Sequence, residues 1–74
     1  MRVTLKSSTQ QANSLDRATK MVVSMCHRSC APILSGPIPI PGNARYIEIV
    51  PTAKLIDRFK AESLPTDVDV EVVA

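Results

Sequence analysis

Residues 35–41 read Ser-Gly-Pro-Ile-Pro-Ile-Pro, with a proline at every second position of a short apolar segment. Amides two residues apart in a β-strand point to the same side of the strand, so all three prolines lack a hydrogen-bond donor on one side. Ile38 and Ile40 can still donate on the other side. A strand of this kind fits only at the edge of a sheet, where the prolines also discourage pairing with other chains.

The sequence predicts a reversal of the chain directly after this strand. Pro41 and Gly42 suit the two central positions of a type II turn, because proline fixes the first φ angle and glycine supplies the positive second one. Alternation of apolar and polar residues resumes over residues 45–50. This alternation predicts another strand, whose inward side chains are Ile47 and Ile49.

The residues before the proline segment predict a strand followed by a helix. Apolar and polar residues alternate over residues 2–7, as in a strand that is covered on one face. Apolar residues then recur at spacings of three and four, which indicates a helix from Ser14 to Arg28 with Asn13 or Ser14 as its N-cap. The predicted inward residues are Val3 and Leu5 in the strand and Leu15, Ala18, Met21, Val22 and Met25 in the helix.

The residues after the turn predict a second helix and a last strand. Thr52 is a suitable N-cap for a helix whose apolar stripe is Leu55, Ile56 and Phe59. Pro65 ends that helix. In the last strand the expected inward residues are Val68, Val70 and Val72, and the intervening acidic residues are Asp67, Asp69 and Glu71.

The predicted order of elements is therefore β-α-β-β-α-β. This order is typical of the ferredoxin-like α+β fold, in which two helices cover one face of a four-stranded antiparallel sheet. The first and third strands should be central and the second and fourth should be the edges, which agrees with the position of the prolines. We expect one domain over residues 1–74, because a chain of 74 residues buries only one small core.

The chain is expected to be soluble in a reducing compartment, either the cytoplasm or an organellar matrix. Cys26 and Cys30 lie four residues apart in a predicted helix, which makes a poor disulfide framework. Residues 1–6 do not resemble a secretory signal. The longest uncharged segment, residues 29–44, contains four prolines, which a membrane helix would not carry.

The residue types that could support catalysis or metal binding favour structural roles. Cys26, His27 and Cys30 are the only soft ligands in the sequence and zinc needs four, so we expect no metal site and no cofactor. His27 has no recognisable nucleophile or paired carboxylate near it in the sequence. A metal chaperone of this fold would need a cysteine pair in residues 7–13, and an acyl-phosphate hydrolase would need a glycine-rich loop with an arginine there. Both are missing, so we expect a protein that is not an enzyme.

Basic residues concentrate in the first part of the chain. Residues 1–44 carry five basic side chains and one acidic one, whereas residues 45–74 carry four and six. Cations beside hydroxyls and amides are what phosphate binding requires, although charges on a helix face can also serve solubility alone. The predicted RNA contacts are Lys6, Ser7, Arg17, Lys20, Arg28 and Arg45, with Ser8, Thr9 and Asn13 nearby.

The proline segment is a second candidate site. A stiff apolar strand has little conformational entropy to lose when it docks, which favours a protein-binding surface. Protection of the sheet edge would explain the same residues, and the two roles are compatible. The residues of this predicted surface, here called the proline ridge, are Gly36, Pro37, Ile38, Pro39 and Ile40.

The proline ridge also carries the most specific resemblance to a known family. Residues 36–41, Gly-Pro-Ile-Pro-Ile-Pro, are similar to the Gly-Pro-Ile-Pro-Leu-Pro segment of the S-ten family of small-subunit ribosomal proteins, and residues 2–7, 45–57 and 68–72 resemble other parts of that family. The resemblance implies a structural protein of the small-subunit head that binds ribosomal RNA and neighbouring proteins in translation. In bacteria the family also supplies a transcription antitermination subunit that pairs with a helical RNA-binding partner.

The chain departs from this family in its hairpin. The family normally continues the proline segment into a long basic hairpin that reaches into the ribosome, whereas Gly42-Asn43-Ala44 stands here. Two interpretations follow. The chain is either a reduced family member seated in a ribosome, or a loop-deleted globular domain that acts as a protein–protein adaptor in antitermination.

Overall fold

Residues 1–8 and 12–73 are described in the computed structural model, and they form four strands and two helices. In chain order the elements are β1 (Arg2–Ser7), α1 (Ala12–Arg28), β2 (Ile33–Ile40), β3 (Ala44–Ile49), α2 (Ala53–Ala61) and β4 (Val68–Val73). The predicted β-α-β-β-α-β order of a ferredoxin-like α+β fold is confirmed.

The four strands form one antiparallel sheet in the order β2-β3-β1-β4. β1 and β3 are central and β2 and β4 are the edges, as predicted. The two helices cover one face of the sheet, here called the helix face, and the other is the open face. Cross-strand pairing assigns side chains to these faces: Val3 lies opposite Ile47 on the helix face, and Thr4 lies opposite Tyr46 and Glu71 on the open face.

Backbone hydrogen bonds show which side of β2 carries the prolines. Met1 and Ile49 bond reciprocally, with N···O distances of 2.9 and 2.8 Å, so the odd-numbered residues of β3 bond to β1. The even-numbered residues of β3 therefore bond to β2. Ile38 and Ile40 pair with two of these residues. The isoleucines thus donate toward β3 and the prolines face the outer rim, as the sequence predicts.

Glycine is required at two places in this hairpin. Gly36, at a register irregularity of β2, has a φ of +97°, and a Cβ there would lie 2.6 Å from the carbonyl oxygen of Tyr46. Gly42 has a φ of +90°, which confirms the predicted reversal. Asn43 also has a positive φ, of 54°, which asparagine tolerates. The chain thus turns over residues 41–43.

The core lies between the helix face and α1. Four residues of the central strands are fully buried there: Val3, Leu5, Ile47 and Ile49. α1 contributes Leu15, Ala18, Val22, Met25 and Cys26, all buried, and β4 contributes Val68. Leu55 is the buried residue of α2. The pattern confirms the predicted inward face of β1, of β3 and of most of α1.

Three predicted inward residues neither belong to the core nor pack against it. Met21 is half-buried because it borders the outer face of α1, Ile56 is 44% exposed, and Val72 is 49% exposed. The helices cover the central strands most fully, and α2 is only nine residues long. The outer side of α2 and the far end of the edge strand β4 therefore remain in contact with solvent.

The predicted start of α1 is wrong. Asn13 and Ser14 lie inside the helix, which begins at Ala12, so neither residue is its N-cap. Asparagine and serine each cost a helix interior only about 0.5 kcal/mol relative to alanine, and helical hydrogen bonding can continue through them.

α1 ends in a Schellman-type motif. The N–H of Ala31 donates to the carbonyl of Cys26 at 2.9 Å, and Cys30 between them has a φ of +53°. Glycine is the usual residue at this left-handed position. Cys30 therefore sits in a strained backbone conformation.

The start of α2 is tied to the end of α1. The Thr52 hydroxyl accepts a hydrogen bond from the N–H of Leu55 at 3.2 Å, which confirms the predicted N-cap. The same hydroxyl donates to the carbonyl of Ser29 at 2.9 Å. One side chain thus satisfies backbone groups of both helix ends.

Candidate nucleic-acid interface

The outer face of α1 carries a shallow groove lined largely by polar and basic side chains. Side chains three or four residues apart lie on the same face of a helix, which aligns Arg17, Lys20 and Arg28 along it. Arg17 and Arg28 are about 16 Å apart along the helix axis. The residues that line this α1 groove are Asn13, Asp16, Arg17, Lys20, Met21, Ser24 and Arg28.

The α1 groove is electropositive. Within residues 1–8 and 12–73, no ion pair engages Arg17 or Lys20, and both side chains are exposed. Arg28 lies 4.0 Å from a carboxylate oxygen of Glu62, and its side chain is 54% exposed. An exposed pair at that distance contributes little, so Arg28 can turn toward another anion.

Arg45 of β3 forms an ion pair with the acidic residue that lines the α1 groove. The alternation that buries Ile47 and Ile49 also directs Arg45 to the helix face, where its guanidinium lies 2.6 Å from Asp16 and 3.4 Å from the Thr19 hydroxyl. The ion pair neutralises the acidic residue that lines the groove. In this structure the guanidinium of Arg45 binds Asp16. Its predicted direct contact with an RNA phosphate stays a prediction.

Lys6 and Ser7 lie apart from the α1 groove. Lys6 is exposed on the open face, opposite Ala44 and Asp69. Ser7 is buried on the helix face, and its backbone N–H donates to the carbonyl of Asn43 at 3.0 Å. Three of the six predicted RNA contacts thus share one surface. Of the polar residues predicted nearby, Asn13 lines the groove, Ser8 does not, and Thr9 lies outside the described residues.

Sequence reasoning missed two basic residues of α2. Lys54 and Arg58 line a second depression together with Arg28, which is shared between the two helices. Glu62 lies 3.3 Å from Arg58 and bridges it to Arg28. A count of charges in the two parts of the sequence did not mark these residues as candidate RNA contacts, because α2 lies in the part with more acidic than basic side chains. Their exposed positions on a helix that shares a layer with α1 were the available signal.

The proline ridge divides between two surfaces. Pro37 lines a mainly apolar groove with Val23 and His27 of α1, on the helix side of the sheet. Ile38 and Ile40 are half-buried and pair with Tyr46 and Ala44, so their side chains lie on the open face. The alternation that directs the prolines to the rim thus separates their side chains from those of the isoleucines.

The open face beside the ridge is covered by an ion-paired arginine. Arg2 stacks on the ring of Tyr46, with 4.3 Å between its Cζ and the ring centroid, and its Nε lies 2.6 Å from Glu48.

Gly36 has a structural role in the ridge, because its close approach to the Tyr46 carbonyl excludes any side chain.

The two cysteines and the histidine do not form a site. Cys26 is buried in the core, and desolvation raises the pKa of its thiol, whereas Cys30 is exposed at the end of α1. Both thiols are free. Across residues 1–8 and 12–73, no three metal-ligating side chains come together.

No protein-family model matches the chain, and no curated protein matches it either. In the described residues, neither helix combines the length and the apolar character that crossing a bilayer demands.

Proposed function

We propose that this chain is a non-enzymatic RNA-binding protein of the kind that the S-ten family provides to the small ribosomal subunit, and that the α1 groove contacts RNA phosphates. The observation that supports the proposal is the alignment of Arg17, Lys20 and Arg28 along one groove whose single acidic lining residue, among those described, is paired with Arg45. Arg17 and Lys20 are exposed and form no ion pair with a described residue, so they need no rearrangement before they meet a polyanion.

The polar neighbours of these cations favour contact with the RNA backbone. Asn13 and Ser24 provide an amide and a hydroxyl in the same groove, and groups of this kind bind phosphate and ribose oxygens. Double-stranded RNA is bound mostly through phosphates and 2′-hydroxyls, by shape. A double-stranded RNA stem is therefore the ligand that fits the groove best.

The two aromatic residues argue against stacking of single-stranded bases. The Tyr46 ring is covered by Arg2, and Phe59 is half-buried against the core. Proteins that bind single strands present exposed aromatic rings to successive bases. We therefore assign the chain to backbone recognition, as in a ribosomal protein that supports folded RNA during translation in the cytoplasm.

Sedimentation tests this assignment. A tagged copy of the chain, expressed in cells that encode it, is expected to co-migrate with small ribosomal subunits on a sucrose gradient and to return to the top after ribonuclease treatment. Migration of the untreated protein as a free chain of 8.0 kDa would contradict the assignment.

The apolar groove at Pro37 favours a second candidate, an adaptor in transcription antitermination. Val23 and Pro37 form its apolar part, and an amphipathic helix is the kind of partner that fits such a groove. This candidate predicts a light, ribosome-free complex on the same gradient. Val23→Ala removes apolar surface without placing a charge beside Lys20 and Arg28, which line both grooves, so it should weaken that complex and leave co-migration with ribosomes unchanged.

A further inference from the structure

The two edge strands of the sheet differ in how well they are protected against pairing with another chain. β2 carries prolines along its rim, whereas β4 contains neither proline nor lysine over residues 68–73. Charged side chains also discourage pairing at an edge, but both charges of β4, on Asp69 and Glu71, are acidic, so they repel only an added strand of the same sign.

The hydrogen bonds of β1 show which groups of β4 face outward. The N–H of Ser8 donates to the carbonyl of Asp67 at 2.9 Å, and the pairing register continues this pattern at every second residue. Asp69 and Glu71 therefore bond to β1. The backbone groups of Val70 and Val72 point to the outer rim, and no hydrogen bond to another described residue engages them.

The side chains beside this rim differ between the two faces. Asp69 and Glu71 lie on the open face, and neither forms an ion pair with a residue in the described part of the chain. Val70 is half-buried and Val72 is 49% exposed, both on the helix face. An added strand would therefore meet carboxylates on one side and valines on the other.

A second copy of this chain is a poor occupant. Antiparallel pairing of two β4 strands would bring Asp69 and Glu71 of one copy beside the same carboxylates of the other, and like charges on neighbouring strands repel. A strand with lysine or arginine at alternate positions turns the same carboxylates into attractive partners.

We propose that the outer edge of β4 binds an extended basic segment of a partner protein by strand addition. The partner strand hydrogen-bonds to the backbone of Val70 and Val72. Its basic side chains lie over Asp69 and Glu71, and the alternate apolar side chains cover Val72. This site lies on the acidic edge of the sheet and is independent of the α1 groove and of its proposed ligand.

The test uses the intact chain and a blocked nine-residue peptide in which lysine alternates with valine, followed by NMR of the ¹⁵N-labelled protein. Binding is expected to slow hydrogen exchange at the amides of Val70 and Val72 and to leave the amides of α1 unchanged. The same peptide with glutamate in place of lysine is expected not to bind.

Two pairs of variants separate the backbone contribution from the charge contribution. Val72→Pro removes an outward N–H that no described residue uses, so affinity should fall about fivefold, as for one lost hydrogen bond. Val72→Thr keeps that N–H and should lose no more than about twofold. Glu71→Gln should weaken binding about two- to fivefold, whereas the matched Asp57→Asn on α2 should have no effect.

Several results would overturn the proposal. These are a failure of the lysine peptide to bind, equal binding of both peptides, and binding without protection of Val70 and Val72. Protection of these amides that grows with protein concentration alone would show that a second copy occupies the edge. If Val72→Pro perturbs the fold, the comparison of Glu71→Gln with Asp57→Asn still tests the proposal.

Discussion

The guanidinium of Arg45 lies 2.6 Å from the carboxylate of Asp16, which joins β3 to α1 beneath the outer groove of that helix. Arg45 is 28% exposed and Asp16 is 49% exposed, so the pair is partly accessible to water. Its main consequence for function is electrostatic. The carboxylate that lines the α1 groove is neutralised, and the basic side chains of Arg17, Lys20 and Arg28 determine the potential there.

Removing this carboxylate should strengthen RNA binding. Asp16→Asn releases Arg45 and deletes a negative charge from the groove, so affinity for an RNA hairpin should rise about two- to fivefold at 0.1 M salt, by the size of an exposed charge interaction. Fluorescence anisotropy with a labelled hairpin measures the change. Glu71→Gln makes the same charge change on β4, outside all the described grooves, and serves as the control. An equal gain in both variants would show that net charge, and not the groove, sets the affinity.

The Thr52 hydroxyl should contribute measurably to stability. Thr52→Val keeps the shape of the side chain but removes the hydrogen bonds to Leu55 and Ser29. The free energy of unfolding should fall by about 1–2 kcal/mol, the usual cost of losing an N-cap. Urea denaturation measures it, with Thr66→Val in an exposed turn as the control. Equal costs in the two variants would contradict the assigned role.

Gly36 and Gly42 should differ in their tolerance of alanine. Both have a positive φ, so each substitution costs about 1–2 kcal/mol of backbone strain. At Gly36 the added Cβ also meets the Tyr46 carbonyl oxygen at 2.6 Å, whereas at Gly42 the nearest atom is 3.9 Å away. Gly36→Ala should therefore lower the free energy of unfolding more than Gly42→Ala does. The reverse order in urea denaturation would mean that β2 and β3 approach each other less closely.

Cys30→Gly should stabilise the protein. Cysteine occupies the left-handed position at the end of α1, and glycine adopts that conformation without steric strain. The expected gain in the free energy of unfolding is about 0.5–1 kcal/mol. Cys30→Ala keeps the strain and should change stability little, which separates the backbone effect from loss of the thiol. A loss of stability in Cys30→Gly would contradict the assigned helix end.

The sheet was predictable from the sequence because its signals are local. A proline cannot donate a hydrogen bond in any context, so the prolines of β2 alone identified an edge strand. Two-residue alternation assigned β1, β3 and β4 in the same way. The start of α1 was not predictable, because Asn13 and Ser14 are compatible with both a cap and a helix interior.

The candidate site was only partly predictable. Helical spacing was sufficient to align Arg17, Lys20 and Arg28, because that relationship lies within one element. The pairing of Arg45 with Asp16 depends on contact between β3 and α1, although the alternation that buries Ile47 already implied an inward Arg45. α2 approaches Arg28 only in the folded protein. A count of charges along the sequence therefore could not predict that these basic residues share a surface.

RNA binding by this chain is proposed to depend on contacts of Arg17 and Lys20 with phosphates in the α1 groove. The most direct test compares Arg17→Gln/Lys20→Gln with Lys60→Glu, because each lowers the net charge by two and Lys60 lines none of the described grooves. RNA hairpin affinity is measured at several salt concentrations. The groove variant should lose about one to two units from the slope of log K against log salt, whereas the Lys60 variant should keep the wild-type slope. Equal slopes in all three proteins would contradict this proposal.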